Sequence, residues 1–270
     1  MNNTNYRDHP ALNWSHLKRI LDCPLAFKEN LPLDSKAADL GTLLHSVLLE
    51  GYDKYINFDE LVEPYLANLC DDKGNLYKSP KQSTKGKEIV SQLAKQYAGY
   101  TFCSAEEIEM IEFYKKEFAS NFAIKTILEG AKTEQEVFER LGGRDCKCKA
   151  DIITKNNLLF DLKTTVNIHP EAFKRQVFKL DYHAQIAFYS ALSKAYPGGI
   201  IVISTKKPYQ VSIVEFSAEV IEHAKLRVEK AFSILEQCER TNSFTGYGNY
   251  TIELPKWLDS ESIDDDEDLF

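Results

Sequence analysis

The stretch KCKADIITKNNLLFDLKTT, residues 147–165, constrains the fold more than any other, because it sets Asp151 and Asp161 inside two apolar runs around an asparagine-rich turn. Asparagine tolerates left-handed backbone angles and the flanking runs are β-branched or apolar, so Lys155-Asn156-Asn157 predicts the turn of a β-hairpin. Centring the hairpin on Asn156 brings Asp151 opposite Asp161. Side chains alternate along a strand. Lys149, Asp151, Asp161 and Lys163 are therefore expected on one face, and Ala150, Ile152, Phe160 and Leu162 on the other, facing the core. Directly opposed residues have Cβ atoms roughly 4.5–5.5 Å apart, and like charges placed so are destabilising. Two arrangements relieve the repulsion. A hard divalent cation such as Mg²⁺ converts it into coordination, and a lysine on the same face can then orient or deprotonate a bound water, which is equipment for phosphodiester hydrolysis. Alternatively, Lys149 and Lys163 neutralise an ordinary pair of carboxylates on a solvated sheet face.

The rest of the chain supplies layers for such a hairpin. Residues 14–30 open with Ser15 as a helix N-cap and stop at Cys23-Pro24. In residues 36–50, Leu40, Leu43, Leu44, Val47 and Leu48 repeat at helical spacing, with His45 on the flank. Residues 71–88 read as a long, mobile, lysine-rich loop, and helices are expected at 86–98 and 104–129. Three strands are expected over 134–165, a helix at 182–195, a strand pair at 199–204 and 209–216, and a long amphipathic helix at 217–239. The pattern is α/β: a central mixed sheet flanked by helices, with the hairpin at one open edge.

Charge at first argues against a polyanionic partner, since the chain carries a formal net charge of -8. The last twelve residues, DSESIDDDEDLF, contain seven acids and no base, which leaves the remainder at -1. A nearly neutral body can carry a basic groove on one side. No run of 18 apolar residues occurs and the N-terminus lacks a secretory pattern, so a cytoplasmic protein without a membrane partner is expected. The six cysteines are scattered, and Cys146-x-Cys148 is too tight for half of a zinc knuckle.

The order of motifs adds a resemblance. A-D-(x9)-D-L-K, from Ala150 to Lys163, is similar to the core of the PD-(D/E)xK nuclease superfamily, with Ala150 in place of proline. G-T-L-L-H at 41–45, D-L-K-T-T at 161–165 and Y-H-A-Q-I-A-F-Y at 182–189 follow in the order found in the exodeoxyribonuclease VIII (RecE) nuclease domain. The likeness runs from about residue 10 to 258, from the S-x-L-(x6)-P of Ser15, Leu17 and Pro24 to the L-P-x-W of Leu254, Pro255 and Trp257. It implies a restriction-endonuclease-like core over 1–258 and an acidic disordered tail over 259–270. The implied activity is a Mg²⁺-dependent 5′→3′ exonuclease on double-stranded DNA ends, with Mn²⁺ as a substitute. Its 3′ overhangs would pass to a RecT-like single-strand-annealing recombinase, and the nuclease would form a homo-oligomeric ring, four-membered by analogy.

Carried over residue by residue, His45 would be a metal ligand, Asp151 and Asp161 would bridge metal, and Lys163 would serve the attacking water. Glu134 matches the acidic position before the hairpin, with Glu136 as an alternative. Gln185 and Tyr189, one helical turn apart, match Q-x-x-x-Y and would steady the scissile phosphate or the metal-bound groups. S-T-K-G-K at 83–87 resembles a glycine-lysine element of the family and predicts phosphate contacts from Lys85 and Lys87. His183 is expected to pack. Lone Cys238 near the end makes an iron–sulfur cluster unexpected, and no Walker G-x-x-x-x-G-K-[ST] occurs, so neither that cluster nor ATP is expected as cofactor. The tail, ending Leu269-Phe270, resembles the tip of single-strand DNA-binding proteins and could dock on a partner or fold back over the basic groove. The rival functions are a structure- or end-specific endonuclease of the same superfamily and a non-catalytic DNA-end binding module.

Overall fold

The computed structural model describes residues 6–29 and 36–254, with Arg7 and residues 36–39 described in backbone only. The expectations for Pro255, Trp257 and the tail 259–270 lie outside the described residues. The strands are β1 (Tyr55–Asn57), β2 (Thr101–Cys103), β3 (Lys132–Leu141), β4 (Arg144–Ile153), β5 (Leu158–Thr165), β6 (Tyr196–Ser204) and β7 (Val211–Glu215). Interleaved with them are helices α1 (Trp14–Asp22), α2 (Pro24–Lys28), α3 (Lys36–Leu49), α4 (Phe58–Leu66), α5 (Thr84–Gln96), α6 (Ala105–Ser120), α7 (Phe122–Leu128), α8 (Pro170–Lys179), α9 (Tyr182–Ser193) and α10 (Ala218–Thr241).

Among the described residues, the main sheet runs β3-β4-β5-β6-β7, antiparallel except for the parallel β5–β6 pair, and a separate parallel pair joins β1 to β2. Helices cover both faces, as the mixed sheet requires. On one side Leu43, Leu44 and Val47 of α3 and Ile111 and Tyr114 of α6 pack on Ile152, Phe160, Leu162, Ile201 and Ile203. On the other, α8 and α9 pack on Ala150, Leu159, Ile200 and Val202, and α1, α9 and α10 on Cys146 and Cys148. This is the expected α/β architecture of a central mixed sheet flanked by helices.

Several local expectations are corrected. The N-cap of α1 is Asn13, not Ser15: its side chain accepts from His16 N and the His16 side chain closes a capping box. The span 71–88 is not one long loop. Asp71 accepts the backbone N–H groups of Lys73 and Asn75 in a turn, and a 3₁₀ segment, Pro80–Gln82, leads into α5. Gly86 makes that approach possible, since a Cβ there would stand 1.9 Å from the Pro80 carbonyl oxygen. The expected helix over 104–129 breaks at Asn121, which caps α7 by accepting from Ala123 and Ile124. Helices α4 and α8 and the β1–β2 pair carried no prediction. His183 packs as expected, with its Nε2 3.2 Å from Nδ1 of His223 on α10.

The hairpin lies in the middle of the sheet, not at an open edge, because β6 and β7 add beyond β5. Its turn is as read: Asn157 has φ 58 and its N–H donates to the Thr154 carbonyl. The expected face alternation fails. Ala150 packs with α8 and α9, whereas Ile152, Phe160 and Leu162 pack with α3 and α6, so β4 turns over at Asp151. The β4–β5 ladder stops at the pair Ile152–Phe160, one residue short of the two aspartates. Beyond it the strands part, and the freed edge of β4 is taken by Leu12, which exchanges backbone hydrogen bonds with Asp145 and Lys147. Buried Lys147 secures this segment by donating to the Tyr6 and His9 carbonyls.

Candidate active site

The gap between β4 and β5 is where the acids meet. A buried N–H that loses its ladder partner must find another acceptor, and the Leu162 N–H donates to Asp151 Oδ2 at 2.8 Å. Asp151 thus stands in for a strand carbonyl. Asp151 meets His45 of α3, and Asp161 meets Gln185 of α9, where the two strands have left the ladder. The two aspartates are 8% and 1% exposed, which removes the alternative of a carboxylate patch on a solvated face.

Helix α3 presents His45 to the gap from the apolar ridge that anchors it to the sheet. Its Nε2 lies 2.8 Å from the Leu162 carbonyl oxygen, which can only accept, so Nε2 carries the proton. The other ring nitrogen, Nδ1, then faces Asp151 Oδ2 at 3.5 Å and Glu134 Oε1 at 3.7 Å. Glu134 comes from β3, opposite Asp151 by the register of the flanking pairs Thr133–Ile152 and Gln135–Ala150. Its φ of 51 is left-handed, a conformation costing a non-glycine residue about 1–2 kcal/mol. That twist turns Glu134 inward, whereas Glu136 is exposed two residues on. Of the two acids, Glu134 is the one that lies beside His45 and Asp151.

Asp161 is held differently. Gln185 Nε2 donates to its Oδ1 at 2.6 Å, and Lys163 Nζ lies 2.6 Å from its Oδ2. Lys163 also sits 5.0 Å from the ring centroid of Tyr182. Tyr189 lies one turn beyond Gln185, half-buried beside Phe188. Burial, with Asp161 nearby, holds its phenol well above the ordinary range, so it keeps its proton. Lys85 and Lys87 stand apart on α5, which packs on α4 and the 3₁₀ segment. Lys85 is ion-paired to Asp72 at 2.7 Å, and Lys87 is exposed.

Electrostatics follow from this crowding. Burial first, and the neighbouring Asp161 second, push the Asp151 carboxyl up to about 7. For His45 burial pulls downward, but Asp151 and Glu134 outweigh it and the net shift is upward. Lys163 behaves likewise: burial lowers it, Asp161 and Asp151 more than offset that, and the ammonium is retained. A retained ammonium orients water and stabilises charge; it does not accept a proton.

His45, Glu134 and Asp151 offer ligand atoms that all lie within 4.8 Å of one another. Glu134 Oε1 is buried without a hydrogen-bond partner, an orphan oxygen aimed into this group. One imidazole and carboxylate oxygens suit a hard or borderline divalent ion such as Mg²⁺ or Mn²⁺. Asp161 stands beside the group, its Oδ1 accepting from Gln185 and its buried Oδ2 held by the Lys163 charge without a well-directed hydrogen bond. Buried Cys146 and Cys148, raised to about 11 and about 12, are poor sources of thiolate. His45, Glu134, Lys149 and Lys163 line one cleft of about 430 Å³, with Glu50 and Tyr182 at its walls. The sequence patterns assign no role to Glu50 or Tyr182 and make Lys149 only a neutraliser. The lysine spacing on β4 is visible in the chain, but its partners come from α3 and β3.

A protonated Asp151 competes with a cation, so divalent-ion affinity should rise with pH up to about 7 and then level. The sign for folding is opposite. The folded metal-free chain holds a proton there that the unfolded chain releases, so its stability falls as pH climbs from the ordinary carboxylate range through about 7. Mn²⁺ titrations between about pH 6 and about pH 8 should show up to roughly tenfold weaker binding per unit on the acid side; a flat profile would place the ion elsewhere.

A family profile described as a PDDEXK-like domain of unknown function (DUF3799) matches residues 13–251. No curated protein matches the chain significantly. The crystal structure of a candidate exonuclease from Eubacterium rectale is similar with a TM-score of 0.62 at 14% identity, over 94% of this chain and 96% of that one. A phage-related exonuclease from Haemophilus somnus 129PT aligns over 73% of this chain and 100% of its own at 15% identity, with a TM-score of 0.30. Of these two, the first defines a shared fold. No helix among the described residues is long and apolar enough to cross a membrane.

Proposed function

Starting from a chain that belongs to the PDDEXK-like domain family DUF3799, we propose that it is a Mg²⁺-dependent 5′→3′ exonuclease acting on the ends of double-stranded DNA. The observation that carries this reading is the ligand group of His45, Glu134 and Asp151 beside the Asp161–Lys163 ion pair, with His45, Glu134 and Lys163 lining one cleft. The motif order shared with the exodeoxyribonuclease VIII family, and a fold shared with a candidate exonuclease, support the end-directed part.

His45, Glu134 and Asp151 would hold the ion, with Asp161 alongside. A divalent ion there would supply Lewis-acid polarisation of the scissile phosphate and of a water. Lys163 places its ammonium against that water and the phosphate oxygens, stabilising charge as the water attacks phosphorus and the bond to the 3′ oxygen breaks. Asp161 fixes Lys163, and Gln185 fixes Asp161 by taking up its second oxygen. The products are 5′ mononucleotides and a 3′ overhang, which suits a single-strand-annealing recombinase as recipient. A ring of copies around the duplex would explain processivity, because a closed assembly cannot diffuse away between cuts.

Linear duplex with 5′-phosphate or 5′-hydroxyl ends should be degraded from the 5′ end with Mg²⁺ and not in chelator. Cutting of a covalently closed circle would instead identify an endonuclease, and binding without turnover a DNA-end module. Lys87 reaches phosphate freely on this reading, whereas Lys85 must leave Asp72. Replacing both by glutamine should lower the salt slope of DNA binding by about two, with Mn²⁺ affinity unchanged. An unchanged slope would remove α5 from the DNA path.

A further inference from the structure

The cleft contains a cation of its own. Lys149 Nζ lies 2.5 Å from Glu134 Oε2 and 3.0 Å from Glu50 Oε1. The other oxygen of Glu134, Oε1, is the buried orphan 3.7 Å from His45 Nδ1. One carboxylate is therefore divided, its outer oxygen committed to an ammonium and its inner one to the ligand group. Glu50 holds that ammonium from the end of α3, the helix that also delivers His45, so the two elements bracketing the cleft are tied through Lys149.

Charge decides what this arrangement does. With Lys163 matched to Asp161 and Lys149 to Glu50, Glu134 and Asp151 are left over, and once Asp151 has released its proton to a metal their two negative charges balance one divalent ion. Deleting the Lys149 charge leaves three negatives; deleting the Glu50 charge leaves one. Affinity for a hard cation rises with the number of charged ligands around it. We propose that Lys149 is a resident counter-cation that holds the divalent-ion affinity of the site down, and that Glu50 offsets it. Lys149 is a positioning and tuning residue, acting through Glu134. The inference rests on the reading of His45, Glu134 and Asp151 as ligands.

The two halves of one ion pair should then move metal affinity in opposite directions, which a merely structural salt bridge cannot do. Mn²⁺ binding to the full chain without DNA, followed by the paramagnetic resonance of free Mn²⁺, reads this directly. Lys149→Met should tighten binding by about tenfold and Glu50→Gln should weaken it several-fold, while Lys149→Arg, which keeps the charge, should stay near wild type. Weaker or unchanged binding in Lys149→Met overturns the proposal. Should that variant fail to fold, unchanged or tighter binding in Glu50→Gln overturns it alone. Asp151→Asn separates the two readings. If it binds Mn²⁺ as well as wild type, the ligand assignment falls and the proposal with it; if it loses Mn²⁺ while Lys149→Met fails to tighten, only the proposal falls.

Discussion

Lys163→Ala should abolish phosphodiester hydrolysis, lowering turnover by about 10³-fold or more while Mn²⁺ binding persists. A loss of this size is typical when a preorganised charge that stabilises a developing anion is removed. Here the ammonium is fixed by Asp161 at 2.6 Å and by the face of Tyr182, so a small substitute cannot reproduce its place. The substitution also strands Asp161, which is 1% exposed, and an unpaired buried carboxylate destabilises a fold strongly. The charge-balanced pair Asp161→Asn with Lys163→Met separates the two effects: it should fold with a near-wild-type melting temperature and remain inactive. Turnover within tenfold of wild type in either protein, measured on linear duplex with Mg²⁺, would mean that the chemistry lies elsewhere.

The largest effect on stability is expected from Gly199→Ala. A Cβ at Gly199 would stand 2.3 Å from the Val214 carbonyl oxygen, inside the β6–β7 ladder, at a φ of 156. Neither the backbone nor the clash can be relieved by a rotamer change, so a loss of about 3 kcal/mol is expected, or roughly 10 °C in melting temperature. The neighbouring Gly198 leaves room for the Phe160 ring and the Leu159 carbonyl, within 2.8 Å of a would-be Cβ. The β5–β6 register shifts between Leu159 and Phe160, immediately before Asp161. The glycine pair thus shapes the irregularity that sets the aspartate, and Gly199→Ala should lose activity together with stability. A melting temperature equal to wild type would show that β6 adjusts freely and that the glycines do not position the site.

Much of the candidate site is legible in the order of residues alone. The turn at Asn157, the strands around it, helix α3 with His45 on its flank and the one-turn spacing of Gln185 and Tyr189 all follow from short-range rules. Those rules fail at non-local contacts. Alternation places Ala150 with Ile152, yet they pack in opposite layers because β4 parts from β5 and turns over at Asp151. Lys85 is expected to contact phosphate, but its ammonium is paired with Asp72 at 2.7 Å. Ser15 reads as a cap, but Asn13 and His16 close the capping box.

By itself the sequence determined the order of the central strands, the hairpin, and the acids, lysine and histidine that the candidate site brings together. Turn preference and apolar periodicity are set by residues adjacent in the chain. Only the tertiary structure decided how these groups meet: Asp151 replacing a strand carbonyl for Leu162, Glu134 turned inward by a left-handed backbone, and Lys149 held between Glu50 and Glu134. Each of those depends on unsatisfied hydrogen-bonding groups and charges brought together from elements far apart in sequence, and no local propensity encodes such a meeting.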